Sequence, residues 1–306
     1  MPSLKEVKLR INSVSSTRKI TSAMKLVASS KLRKAQQAIG GMRPYQQRLD
    51  GMLSSLAGEI GEEFSSPIIE SRKLQRAAVV ALSSNSSLCG AFNANVIKAV
   101  LNVVNSLTSQ GVAVEVLPIG QKMYEKIRKN NLQIFEPGIN PDVAANVQMA
   151  KLLDRPNYTD IAAVATSLMK SYECEKVDKV VLVYNHFKNT ATQVVTTETL
   201  LPVALEASVT VNTKQANDQS NIVNNYIIEP SCEELLKSLL PKGVSLKLYT
   251  AILDSLAAEH SARVIAMQTA TDNADQLLHD LTLMYNKTRQ AAITAELLDI
   301  VGASFQ

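Results

Sequence analysis

The residues of this chain that could carry out chemistry are few and widely separated. Two Ser-x-x-Lys strings occur, Ser16 to Lys19 and Ser22 to Lys25. Serine acyl-transfer enzymes of the β-lactamase type use that spacing, but together with SDN and KTG elements that this sequence lacks. Coincidence in a helix rich in Ser and Lys is the better interpretation, so we expect no catalytic residue.

Patterns that bind phosphate or metal are also missing from the sequence. It contains no GxxxxGK(S/T) loop, no GxGxxG turn and no GxSxG elbow. The histidines, His186, His260 and His279, belong to no HExxH motif and to no Cys/His cluster. The three cysteines form no CxxC pair, which suits buried thiols in a reducing compartment. We therefore expect no cofactor and no metal site.

A long helix is predicted at the end of the chain, where apolar residues recur at alternating steps of three and four. The repeat falls in three groups: Leu253 and Leu256; Met267, Ala270, Ala274, Leu277, Leu281 and Met284; and Ala291, Ala295 and Leu298. The heptad positions between the first two groups hold His260 and Arg263. Such a repeat requires a partner helix and predicts a left-handed coiled coil. We expect a short helix near residues 232–239 and the long helix to begin at Pro241-Lys-Gly243.

A second long helix is predicted at the start of the chain, where Ser3 and Glu6 form a capping box. Its apolar seam breaks at residues 15–19, and we expect a kink at Pro44 before the helix continues towards residue 60. The seam positions are Leu4, Val7, Ile11, Val14, Ile20, Met24, Ala28, Leu32, Ala35, Ile39 and Met42. The two terminal helices are expected to form one antiparallel coiled coil.

Strand and helix patterns alternate between the two long helices. Strands are predicted at 77–82, 112–119, 132–135, 179–187 and 192–201, and helices at 94–107, 122–129 and 160–172. This alternation predicts an inserted α/β (Rossmann-like) domain. A polar stretch, Asn212–Asn225, predicts a solvated loop. The predicted domains are 1–60, 75–205, 206–240 and 241–306.

Charge is distributed unevenly along the chain. Net charge is +4, yet residues 1–50 contain eleven basic residues and only two acidic ones. A basic arm implies an acidic partner surface, nucleic acid or anionic lipid, and a solvated helix face remains the simpler alternative. The first residues do not form a signal peptide, and no run of about eighteen apolar residues predicts a membrane span.

Four segments of the chain resemble the γ subunit family of F-type ATP synthase. TRKITSAMKLVASSKLRKAQ (17–36) is similar to the family's first helix. EHSARVIAMQTATDNADQL (259–277) and YNKTRQAAITAELLDIVGA (285–303) are similar to its C-terminal signature. SSNSSLCGAFN (83–93) resembles the family's S-D-(R/K)-G-L-C-G segment, with Asn85-Ser86-Ser87 in place of D-(R/K)-G. The resemblance extends over essentially the full length.

The resemblance implies a function for the chain. Members of this family are non-catalytic rotor shafts that turn inside a hexamer of three α and three β subunits and bind no nucleotide. Their α/β domain docks with the ε subunit on the membrane c-ring. The resemblance therefore implies a peripheral protein on the cytoplasmic face of the bacterial inner membrane.

The resemblance also implies contacts with the α and β subunits. The matching positions are Met24, Lys25, Glu259, Arg263, Arg289, Gln290, Thr294 and Glu296. Polar contacts with α and β loops are expected from Arg263, Arg289 and Gln290, and a packing contact from Met24. Family members often carry a basic residue at the position of Gln268. The apolar tail, Leu297, Leu298, Ile300, Val301 and Phe305, is expected to turn in an apolar sleeve.

Two other classes of protein are compatible with parts of the sequence. A basic coiled-coil nucleic-acid-binding protein would use the first arm, and its binding would collapse with added salt. A small α/β enzyme with helical arms would need polar residues gathered at strand ends, and the sequence predicts none.

Overall fold

The computed structural model describes residues 3–60, 66–136, 151–204, 228–229 and 231–304. The helices are α1 (Leu4–Ile60), α2 (Phe92–Ser109), α3 (Gln121–Lys129), α4 (Lys151–Asp154), α5 (Tyr158–Glu173) and α6 (Cys232–Ser304). The strands are β1 (Arg76–Leu82), β2 (Ala113–Ile119), β3 (Lys179–Phe187) and β4 (Gln193–Leu201). Long terminal helices around an α/β insert confirm the predicted fold class.

The four strands form one mixed sheet in the order β2-β1-β3-β4. Strand β1 is parallel to both of its neighbours, and β4 pairs antiparallel with β3. In this register Val80 of β1 lies opposite Leu117 of β2 and Leu182 of β3. All three side chains are buried, as expected when helices cover both faces of a parallel sheet.

Alternate residues of β1 contribute to two different cores. Val80 packs with Ala78 and Leu82 in a cluster with residues of α5 and α6, whereas Val79 belongs to a cluster with residues of α2 and α3. Side chains of a strand alternate between the faces of a sheet, so β1 is held from both sides. Helix α6 therefore forms part of the sheet's own core.

The chain divides into two compact units. The first lies within Met1–Lys31, Leu88–Gly90 and His260–Gln306, and the second within Leu32–Ser87 and Ala91–Glu259. In the second unit α1 and α6 pack against each other through two apolar clusters. These clusters contain Leu49, Leu53, Leu56, Leu236, Leu240 and Leu246, and Leu32, Ile39, Leu253 and Ala257.

The expected start of the last helix at Pro241 is wrong. Helix α6 begins at Cys232 and passes through both Pro241 and Gly243. Leu240 and Leu246, on either side of the proline, join one apolar cluster, so tertiary packing offsets the low helix propensity of proline. A Cβ on Gly243 would lie 3.1 Å from Leu53 Cδ1, so glycine permits the close approach of α1.

Two further predictions concern the insert and the first helix. Residues Leu132–Phe135 form no strand, because they contribute only one bridge, between Ile134 and Val116. Pro44 lies inside α1, which continues to Ile60. The predicted polar loop Asn212–Asn225 lies outside the described residues.

Candidate subunit-contact surface

In the first unit α1 carries an uninterrupted heptad seam. Its members recur at alternating steps of three and four and, apart from one arginine, are buried or half-buried. They are Leu4, Val7, Ile11, Val14, Arg18, Thr21, Lys25 and Ala28. The apolar seam therefore breaks at residues 15–19 as predicted, but the three-four spacing continues through the break on polar residues. The predicted seam position of Ile20, which is 60% exposed, is wrong.

Polar contacts replace apolar ones where the sequence predicts the break. The hydroxyl oxygens of Thr21 and Thr271 lie 2.9 Å apart, within hydrogen-bond distance. One turn further along, Arg18 Nε lies 2.5 Å from Asp275 Oδ1. Position numbers fall on α1 as they rise on α6, so the helices are antiparallel. An unbroken heptad count through residues 14, 18, 21 and 25 would have identified Arg18 and Thr21.

The seam of α6 also differs from the prediction. Leu277 and Met284, predicted on it, are 53% and 47% exposed. Their neighbours Leu278 and Tyr285 are half-buried instead, whereas Met267 and Ala274 are buried as expected. Adjacent helical residues point about 100° apart, and here several apolar residues stand side by side. The partner helix thus decides which of them is covered.

A half-buried histidine and an arginine lie side by side in the first unit. Arg263 Nη1 is 3.4 Å from His260 Nδ1. Burial lowers the pKa of His260 to about 4, and the nearby cations Arg263 and Lys31 lower it further in the same direction. His260 is therefore neutral at physiological pH and can accept a hydrogen bond from the guanidinium.

The last part of α6 extends beyond the start of α1. Because Arg18 lies opposite Asp275 and α1 begins at Leu4, the antiparallel register ends near Arg289. Most of the following apolar side chains are exposed, and Leu298 is 66% exposed. This stretch, residues 289–304, is here called the overhang. Phe305 lies outside the described residues.

The structure distributes the predicted contact residues over three places. Met24 and Lys25 are half-buried on α1, where the register brings them opposite Met267. Four residues lie exposed on the overhang: Arg289, Gln290, Thr294 and Glu296. The Thr294 hydroxyl donates to the Gln290 carbonyl at 2.9 Å, so it is partly engaged within the helix.

The remaining two predicted contacts are less exposed. Arg263 is half-buried beside His260, and Glu259, the last residue of the second unit, is only 6% exposed. Glu259 therefore offers less surface to another protein than the overhang residues do.

The described residues contain neither a membrane-spanning helix nor a cluster of metal ligands. None of the described helices has a stretch both long and apolar enough to cross a membrane. Among the same residues, no group of three His, Cys, Asp or Glu side chains is placed to hold a metal ion.

The sequence is similar to one known family over almost its whole length. A family model described as ATP synthase matches residues 3–304. A Bacteroides thetaiotaomicron protein named ATP synthase gamma chain is 48% identical over 311 residues, covering 100% of both chains. A Flavobacterium johnsoniae protein of the same name is 40% identical over 305 residues, covering 99% of this chain and 98% of that protein.

Solved structures share the fold. A chain of the Euglena gracilis mitochondrial ATP synthase, from an OSCP/F1/c-ring structure in rotational state 3, matches with a TM-score of 0.60. That match covers 99% of this chain and 93% of the other at 15% identity. A chain of the Tetrahymena thermophila central stalk and c-ring matches with a TM-score of 0.54, covering 82% and 99% at 23% identity.

Proposed function

This chain belongs to the ATP synthase gamma chain family, so it is a non-catalytic subunit of ATP synthase and part of the central-stalk rotor of F1, and we propose that its paired helices are the shaft that turns inside the α3β3 hexamer. The observation that carries the proposal is the antiparallel pairing of α1 and α6 with an apolar overhang beyond it. A paired helix resists twisting, and the exposed apolar end suits an apolar sleeve formed by other subunits.

The eight predicted contact residues are proposed to touch α and β subunits in two groups. The exposed overhang residues would meet the sleeve at the end of the shaft. Met24, Lys25, Glu259 and Arg263 would meet loops lower on the shaft, where the basic α1 favours acidic partners. Side-chain exposure supports the first group most strongly.

The ε subunit and the c-ring are the proposed partners of the α/β insert. The domain boundaries 1–60 and 75–205 are proposed as predicted, with the last helical domain beginning at Cys232. Bacterial relatives support a peripheral position on the cytoplasmic face of the plasma membrane. The comparisons give no support to the nucleic-acid-binding alternative.

Co-expression with the matching α and β subunits tests the proposal. Size-exclusion chromatography with light scattering should give one complex with three α, three β and one copy of this chain. Its ATPase turnover should exceed that of the αβ mixture. Exclusion of this chain from the complex, with unchanged turnover, would contradict the proposal.

A further inference from the structure

A buried carboxylate ties the end of strand β3 to helix α6. Asp254 of α6 accepts a hydrogen bond from the backbone N–H of Phe187 at 3.3 Å, and its other oxygen contacts Nδ1 of His186. His186 and Phe187 are the last two residues of β3, an inner strand of the sheet. One side chain therefore holds the tip of this strand at one position on the helix.

The same strand end also contacts the first helix. The side chain of Phe187 packs against the cluster formed by Leu32 and Ile39 of α1 with Leu253 and Ala257 of α6. The tip of β3 thus meets both long helices of the second unit. We call His186, Phe187 and Asp254 the strand–helix joint.

Apolar packing holds α6 against the sheet through contacts that have no preferred direction. Val244, Leu248, Ile252 and Leu256 lie in the core that α6 shares with the sheet. Apolar contacts are non-directional, and packed helices can slide past their neighbours by small shear movements. Hydrogen bonds to Asp254, between Ile252 and Leu256, are directional and oppose both sliding and rotation of the helix.

The surroundings of Asp254 disfavour the ionised form of its carboxyl group. The residue is 7% exposed, and burial raises its pKa against the opposing effects of His186, the Phe187 N–H and Arg43. The ionised form therefore lowers the stability of the folded chain relative to a neutral group. A buried ionic group that does not add stability can instead specify one packing arrangement.

We propose that Asp254 and His186 are positioning residues for torque transfer, which fix the axial and rotational register of α6 on the sheet. Rotation of the sheet and of the paired helices then stays in step. The proposal rests on the rotor function proposed above. Without the joint, the helices would still turn inside the hexamer, but part of that rotation would be lost before it reached the ion-translocating partner.

Asp254→Asn is the first test, because it keeps an acceptor for the Phe187 N–H but can replace the oxygen that contacts His186 Nδ1 with an amide nitrogen, which accepts no hydrogen bond. The measurement is ATP-driven proton uptake per ATP hydrolysed by the complete enzyme in lipid vesicles, together with its thermal unfolding midpoint. We expect the uptake ratio to fall at least about twofold, with an unchanged or higher midpoint. Glu233→Gln is the matched control, since Glu233 is exposed and forms an ion pair with Lys237 of the same helix, and it should leave the ratio unchanged.

Variants of His186 keep the proposal testable if Asp254→Asn fails to assemble. The side chain of His186 is 41% exposed, so substitution there should not prevent folding. His186→Leu should lower the ratio, whereas His186→Gln, which can still donate to the carboxylate, should retain it. Wild-type ratios in Asp254→Asn and His186→Leu would overturn the proposal. Absence of proton uptake in the wild-type enzyme would instead count against the rotor function itself.

Discussion

Thr21 of α1 and Thr271 of α6 join their hydroxyl groups at 2.9 Å across 250 residues of sequence. The contact falls where the apolar seam gives way to polar residues, one turn from the ion pair of Arg18 and Asp275. Apolar side chains tolerate several registers of two antiparallel helices, whereas two hydroxyl groups and an ion pair satisfy only one. These two polar contacts therefore set the register of the two helices, and that register determines where the overhang begins.

The two threonine hydroxyls should be energetically coupled. In a double-mutant cycle of Thr21→Val and Thr271→Val, we expect a coupling free energy of about 0.5–1.5 kcal/mol. The measurement is chemical unfolding of the purified chain. Thr269→Val is the control, because the exposed Thr269 hydroxyl donates to the Ile265 carbonyl of its own helix, and its effect should add to that of Thr21→Val. Strict additivity at Thr21 and Thr271 would show that the hydroxyls do not interact.

A cation at position 24 should disturb coupling between rotation and catalysis. Met24 is half-buried beside the seam residue Lys25, so Met24→Lys adds a second positive charge that would require an anionic partner on another subunit. We expect proton uptake per ATP to fall while ATP hydrolysis continues. Met24→Leu preserves the volume and apolar character of the side chain and should behave as wild type. Normal coupling in Met24→Lys would refute this prediction.

The free energy of unfolding of the chain should decrease as the pH is lowered, because of His260. Its pKa is about 4 in the folded chain and 6.5 without folding, so its neutral form stabilises the fold above pH 6.5. This contribution is lost progressively as the pH falls from 6.5 to about 4 and amounts to at most about 3 kcal/mol. Unfolding free energies measured across that range should drop more steeply for wild type than for His260→Gln. Equal dependence of the unfolding free energy on pH in the two proteins would contradict the lowered pKa of His260 in the folded chain.

Two glycine substitutions should have opposite effects on stability. Gly120 has a φ of 113°, and a Cβ there would lie 2.5 Å from the carbonyl oxygen of Ser83, which leaves no room for a side chain. Gly120→Ala should therefore destabilise the chain by more than about 1 kcal/mol. Gly51 lies in α1 with nothing within 4 Å of its Cβ position, so Gly51→Ala should stabilise it by roughly 1 kcal/mol. Thermal unfolding of both variants measures the difference.

Sequence periodicity predicts a helix or strand well when the residues of that element alone decide which of its sides are buried. The strand Lys179–Phe187 is observed at its predicted bounds, because a long run of β-formers covered on both faces has few alternatives. Pro241 predicts a helix start that the structure does not have. The tendency of proline to interrupt a helix is outweighed by leucines on both of its sides that pack in one apolar cluster. Leu132–Phe135 has the composition of a strand but makes only one bridge.

Contacts between distant segments are harder to read from the sequence. Nothing near His186 in the sequence indicates that its partner is Asp254, 68 residues away on another element. Leu277 and Leu278 are equally apolar, and only the position of α1 decides that the second is covered. The heptad itself, in contrast, was sufficient to predict that two terminal helices pair.

The unequal lengths of the two long helices give the first unit two different cross-sections. Where α1 and α6 lie side by side, the section is oval, about 10 Å across one helix and about twice that across both. Along the overhang a single helix remains, and its section is close to round. A turning oval pushes its surroundings outward twice per revolution, as a cam does, whereas a turning cylinder leaves them in place. In the proposed shaft, the paired part would therefore act on neighbouring subunits in sequence, while the overhang would serve as the bearing that keeps the axis centred.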